Sequence, residues 1–135
     1  MNDAENARLR SLIVGGRAKL VRVDFSGARL DTVAARGQLF VKYCSFAGAD
    51  LRHATLDGVG FGRCDLSGAD LRGASLRGAR FHGCDLSGAD LRGADLHGAT
   101  FGTGGAGQDA RPTTLTGARL DRNGLHGAIL EHVEL

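Results

Sequence analysis

Three cysteines, Cys44, Cys64 and Cys84, recur at an interval of twenty residues. Regularly spaced thiols could hold a metal or form a redox array. Zinc sites, however, draw their ligands from short Cys and His spacings that this chain lacks. A second chemical lead is Gly102-Thr103-Gly104-Gly105-Ala106-Gly107, a literal G-x-G-x-x-G. That motif cradles a pyrophosphate only where a helix opens at its third glycine. Here Gln108-Asp109-Ala110-Arg111-Pro112 follows, poor helix material, and no Lys-Ser/Thr completes a P-loop. The histidines His53, His82, His97, His126 and His132 fall at outward positions with no common column, and no Ser–His–Asp order or paired-carboxylate site can be built around them. The expectation is therefore a protein without cofactor or metal that is not an enzyme.

The interval of twenty has a simpler origin. From Cys44 the chain reads CSFAGADLRHATLDGVGFGR, CDLSGADLRGASLRGARFHG, CDLSGADLRGADLHGATFGT. Each line divides into four fives with Leu or Phe at the centre and Ala, Cys or Val two places earlier. Such self-similarity is the signature of a solenoid. In extended segments the centre and the residue two before it point the same way, inward, while their neighbours face water. All three cysteines occupy the inward small-residue place, where a buried thiol serves as a small hydrophobe. Glycine, 22 of 135 residues against a usual share of about 7%, falls mostly at one phase of the five, so it marks a corner conformation and not a floppy chain.

The beat runs Leu20, Phe25, Leu30, Ala35, Phe40. One extra residue is assigned to Val41-Lys42-Tyr43, and the centres resume at Phe46 and continue to Phe101. An interruption from Gly102 to Pro112 reads as a flexible loop projecting from a corner, and the beat returns from Leu115 to Leu135. Stacking at twenty puts Phe61, Phe81 and Phe101 in one column, with Phe40 beneath them, and Phe25 below Phe46. Gln38 and Asn123 fall at inward places and would need hydrogen-bond partners there. Before the beat, Asn2 or Asp3 can cap a short helix with Leu9, Leu12 and Ile13 on one face and Gly15-Gly16 at its end. Residues 1–17 are thus assigned as an N-terminal capping segment and 18–135 as the repeat, interrupted at 102–112.

Ala69-Asp70-Leu71-Arg72-Gly73 and Ala89-Asp90-Leu91-Arg92-Gly93 resemble the pentapeptide-repeat family from about Ala18 to Leu135. The resemblance implies an all-β fold, a right-handed four-sided parallel β-helix, here with a short helical cap. For function it implies a non-catalytic protein-interaction scaffold. Some members dimerise into a rod that mimics duplex DNA and protect the topoisomerase DNA gyrase. Against that second role, arginines interleave with the aspartates and the C-terminal helical element those members use is missing.

The outward residues of one side, Asp50, Asp70, Asp90 and Arg52, Arg72, Arg92, form alternating charged columns. Arg29-Leu30-Asp31 and Arg119-Leu120-Asp121 invert the order at either end. This side, with Thr103, Gln108, Asp109 and Arg111 of the loop, is the candidate surface for a protein partner. Leu130, Val133 and Leu135, in rungs with nothing after them, are the candidate interface of an end-to-end homodimer. A net charge of +2 argues against direct nucleic-acid binding, which wants a concentrated basic patch. The longest apolar run, Leu12 to Val14, is too short for a secretion signal or membrane span. The odd cysteine count fits a reducing cytoplasm.

Overall fold

One five-residue unit contains the logic of the whole architecture. Leu71 is fully buried while Arg72 beside it is exposed. Gly73 follows with φ of 69°, a left-handed conformation that glycine adopts without steric cost. The next residue, Ala74, donates its N–H to the Leu71 carbonyl at 3.0 Å. A four-residue turn with φ positive at its third residue is the type II pattern, and it swings the chain round a corner. Between corners the backbone bonds to both neighbouring turns: Leu71 N–H to the Asp90 carbonyl at 2.8 Å, Asp70 N–H to the Ala49 carbonyl at 2.9 Å.

The computed structural model describes residues 1–35, 38–131 and 133–135. A helix, α1 (Asp3–Val14), precedes the short strands β1 (Lys19–Val21), β2 (Phe40–Lys42), β3 (Gly60–Gly62), β4 (Arg80–His82), β5 (Thr100–Gly102), β6 (Thr113–Thr114), β7 (Ile129–Leu130) and β8 (Val133–Glu134). Side one of the coil is a 6-stranded parallel sheet in the order β1-β2-β3-β4-β5-β7. β6 and β8 pair on side two, and isolated parallel bridges join the remaining rungs of sides two, three and four. The fold is a right-handed, four-sided parallel β-solenoid of about six turns with a single N-terminal helix.

Phe61 pairs with Phe81 and Phe81 with Phe101 in the sheet register, and their rings stack with centroids 4.9 Å apart. Phe25 stacks on Phe46 at 4.7 Å, and Phe46 meets Phe61 edge-on at 6.0 Å. Aromatic columns therefore run up two sides of the core, as the interval of twenty predicts.

At the foot of the side-one column the expected register is corrected. Val41, not Phe40, lies beneath Phe61 and above Leu20. Phe40 is 37% exposed, with its ring outside the coil. The extra residue thus falls before Leu39 and not at Val41-Lys42-Tyr43. The physical reason is the choice of inward pair: Leu39 and Val41 bury two aliphatic chains, whereas Gln38 and Phe40 would bury an unpartnered amide. Gln38 is accordingly exposed. Tyr43, with φ of 54°, holds the same left-handed corner place as Arg63 at 53°. Asn123 is also exposed. There the last turn of side four loosens into a reverse turn in which the Asn123 carbonyl accepts from His126 N–H at 2.9 Å.

α1 closes the lower end. Asn2 accepts the N–H of Glu5 at 2.9 Å as the helix cap, and Leu9 and Ile13 are buried against the first rung, with Leu12 partly so. Two polar residues on the helix do what a rung below would have done. Asn6 Oδ1 accepts the N–H of Arg29 at 2.7 Å. Arg10 Nη1 donates to the carbonyls of Asp31 at 2.8 Å and Arg29 at 3.2 Å.

Candidate interaction surfaces

Side three carries the charged rows. Each arginine grips the aspartate two residues before it with both ends of the guanidinium fork. For Arg72 these bonds are Nε to Asp70 Oδ1 at 2.9 Å and Nη2 to Oδ2 at 2.7 Å, and Arg52–Asp50 and Arg92–Asp90 repeat the geometry. The same guanidiniums reach one rung up, Arg52 to Asp70 at 3.9 Å and Arg72 to Asp90 at 3.8 Å. Charges one rung apart are thereby interlaced. The Arg92 fork holds the Asp90 carboxyl at about 2, and Asp50 and Asp70 are lowered by the hydrogen bonds of Arg52 and Arg72. The inverted ends are present as well, since Arg29 pairs in register with Asp50 and Arg119 with Asp90. Arg29 also binds Asp3 of α1.

The thiol column runs up the corner between sides one and two. Cys44, Cys64 and Cys84 are free and no more than 2% exposed. Among the described residues this corner lacks the N–H to carbonyl bond that closes the other three. Instead, each thiol donates to the side-one centre of the rung below: Cys44 to Leu20 at 3.6 Å, Cys64 to Val41 at 3.3 Å, Cys84 to Phe61 at 3.2 Å. One rung higher, the buried hydroxyl of Thr113 donates to the Phe81 carbonyl at 2.9 Å. The Cys64 neighbour and burial push the Cys44 thiol up. Cys64 sits at about 12, the lowering effect of Cys44 being outweighed by Cys84 and burial. Cys84, stabilised by Cys64, lies lower but is 1% exposed.

The interruption at 102–112 is a closed hairpin and not a loose projection. Gly104 and Arg111 exchange backbone hydrogen bonds, both 2.8 Å, around a 3₁₀ turn at Gly107–Asp109. Arg63 Nη1 donates to the Asp109 carbonyl at 3.1 Å, fastening the hairpin to the side-one corner. Gln108, Asp109 and Arg111 are exposed and Thr103 is half-buried. The hairpin sits away from the charged rows of side three, so the two sets of candidate residues do not form one site. His97 and His126 do share a column, contrary to expectation, with rings 6.4 Å apart; His132 lies outside the described residues. No group of three or more His, Cys, Asp or Glu suited to a metal occurs among the described residues.

A net charge near zero conceals how charge is sorted by side. On side two the outermost column reads Asp24, Ser45, Asp65, Asp85, Thr114, Glu134, acids and neutral residues alone. Side one is the opposite, with Lys19, Lys42, Arg80 and His82 on its outer surface and Arg22 and Arg63 at its corner. Sequence reasoning missed this basic side because the misplaced register had turned Lys42 into a bulge and Phe40 inward. The signal was nonetheless present in the phase of these residues relative to Phe61 and Phe81.

A family model for pentapeptide repeats, in eight copies, matches residues 44–83 and 64–102. The chain belongs to the pentapeptide-repeat family. Among curated proteins none matches it. Solved structures similar to it include QnrB1 and two pentapeptide-repeat proteins. QnrB1, a plasmid-mediated fluoroquinolone resistance protein, is 23% identical over 85% of this chain and 59% of its own, less than two thirds of that protein's length, with a TM-score of 0.45. Rfr23 from the cyanobacterium Cyanothece 51142 is 20% identical over 84% of each chain, TM-score 0.42. The protein alr5209 from Nostoc Pcc 7120 is 26% identical over 96% of this chain and 95% of its own, TM-score 0.40. Pentapeptide-repeat proteins are generally non-catalytic. No helix among the described residues is long and apolar enough to cross a membrane.

Proposed function

We propose that this pentapeptide-repeat protein is a non-catalytic interaction module, a rod that binds a protein partner through an outer side or through the 102–112 hairpin. The observation that carries the reading is the lattice of side three. Asp50, Asp70 and Asp90 stand in register beside Arg52, Arg72 and Arg92. Charges in straight rows at one-rung spacing are legible to a partner lying along the rod. Thr103, Gln108, Asp109 and Arg111 offer a second, separate contact at the corner between sides one and two. Affinity capture with Asp70→Arg beside the unmodified protein tests it: loss of a captured partner supports the reading. Failure of either protein to retain any partner, with no effect on gyrase, counts against it. The apolar upper rung, with Leu130 43% and Leu135 74% exposed and Val133 half-buried, supports end-to-end pairing of two copies. Light scattering at micromolar concentration should give a dimer that Leu130→Asp dissociates; a monomer in both cases sinks that part.

The acidic column of side two supports a second reading, protection of DNA gyrase by mimicry of duplex DNA. Asp65 and Asp85 lie one rung apart, with Asp24 and Glu134 towards the two ends. Against it, the adjoining side is basic, so the negative surface does not wrap the rod. A gyrase supercoiling assay in the presence of a quinolone separates the two: protection that Asp65→Asn/Asp85→Asn abolishes favours mimicry.

A further inference from the structure

We propose that side one is a docking groove for an extended acidic segment of a protein partner, a run of glutamate or aspartate residues laid along the rod. The inference rests on the interaction-module reading and names a different side and a partner chemistry.

The groove is built by what is missing from it. Gly60 and Gly62 stand in β3 where other rungs carry Lys19, Phe40, Lys42, Arg80 or His82. Neither has a positive φ, so backbone shape does not demand glycine at either place. The Phe40 ring uses the space over Gly60, where a Cβ would come within 2.6 Å of it. At Gly62 a Cβ would meet nothing closer than Lys42 Cγ at 3.6 Å. Glycine inside a strand weakens it and often marks close approach by a ligand or another backbone. The result is a basin of about 500 Å³ floored by the two glycines and walled by Lys19, Lys42, Phe40, Arg80 and His82.

Its charge is uncompensated. Lys19, Lys42 and Arg80 take part in no salt bridge among the described residues, whereas Arg52, Arg72 and Arg92 on side three are each paired. Arg80 lies over the Phe40 ring, 4.9 Å from its centroid. The acid on the outer surface of this side is Glu131, beyond β7. Cations occupy the first, second and fourth rungs, a span of about 14 Å at the usual rung spacing of about 4.8 Å. Four or five residues of an extended chain cover that length at about 3.3 Å each.

The dimensions select the occupant. A side of three extended residues is about 10 Å wide. Duplex DNA, whose major groove alone is about 12 Å wide, is broader than this side and would overhang onto the acidic column of side two. A single nucleic-acid strand wants free aromatic faces for its bases, and the Phe40 ring is already taken by Gly60 and Arg80. The acidic side of a second copy offers complementary charge, but a flat side about 10 Å wide and six rungs, about 24 Å, long covers only about 240 Å², well short of the roughly 800 Å² per partner of a stable interface. A narrow polyanion without bases remains.

Fluorescence anisotropy of the whole protein with a labelled ten-residue polyglutamate tests the proposal, beside a labelled dT10 oligonucleotide. Polyglutamate should bind more tightly than dT10, and Lys42→Glu/Arg80→Glu should weaken it at least tenfold. Gly62→Leu, which fills the slot without altering charge, should weaken it several-fold. Arg77→Glu, on side four, should change it less than twofold. Circular dichroism establishes that each variant is folded. Absence of polyglutamate binding at millimolar concentration overturns the proposal, as does tighter binding of dT10 or equal loss in Arg77→Glu. In any of these cases a partner captured through side three would leave the module reading standing.

Discussion

At the scale of single residues, the thiol column departs from a purely hydrophobic account. The period of twenty places Cys44, Cys64 and Cys84 inward, and they are buried. What the sequence does not display is that, among the described residues, their corner lacks the turn hydrogen bond of the other three, because that depends on how backbone groups pair between rungs. Thr113, the first residue after the 102–112 interruption and outside the twenty-residue beat, carries the clue: a hydroxyl stands where thiols stand below it. The prediction follows from donor chemistry. A buried small hydrophobe would tolerate Cys64→Ala better than Cys64→Ser. If the thiol matters as a donor to the Val41 carbonyl, the order reverses. The Val41 carbonyl stays in the β2–β3 ladder in either variant, so losing one weak thiol donor in Cys64→Ala should cost less than the about 1–3 kcal/mol of a fully unpaired buried group. Urea unfolding of the two variants decides between them, and Ala more stable than Ser ends the donor account.

At the scale of elements, stacking and capping divide the work. Phe81 is sandwiched between Phe61 and Phe101 at 4.9 Å on both sides, so Phe81→Ala opens a cavity in the middle of the column. Its cost should be about 3–5 kcal/mol, read as a lower urea midpoint. At the lower end Asn6 is 6% exposed and satisfies both the first rung and its own helix. Asn6→Ala should lose about 1–3 kcal/mol through the stranded Arg29 N–H, and Asn6→Asp, which keeps the acceptor, should lose less. Equal losses in the two would show that packing alone matters there. Leu9, Leu12 and Ile13 were legible as an apolar stripe, but the polar residues one turn away were not, since nothing in a helix reveals which amide it will face. The register near Phe40 failed for a related reason. Phe fits the centre of a five as well as Val does, and only the competing Gln38–Phe40 and Leu39–Val41 pairs distinguish the alternatives.

At the scale of the whole molecule, charge is the property that composition hides. Side three is interlaced, side two acidic, side one basic, and a sum over all four is close to neutral. The interlaced side makes stability depend on pH in a definite direction. Asp50, Asp70 and Asp90 have folded-state values below an ordinary carboxylate, Asp90 at about 2, set by the guanidiniums that grip them. Carboxylates depressed by folding contribute stability that is fully present above their unfolded value of about 4 and vanishes as pH falls through the folded value. The urea midpoint should thus stay level from neutrality down to about pH 5 and fall between pH 4 and 2. Asp24 and Asp95, also lowered by hydrogen bonds from Ser26 and His97, add to the same window. A variant carrying Asp50→Asn, Asp70→Asn and Asp90→Asn leaves three stacked arginines unneutralised at every pH. It should be less stable than the parent at pH 7, improve with added salt, and show a shallower acid fall. A parent and variant that lose stability in parallel below pH 4 would assign the transition to other carboxylates. The rows on side three would then set which partner the rod can lie against, with no part in holding the coil together.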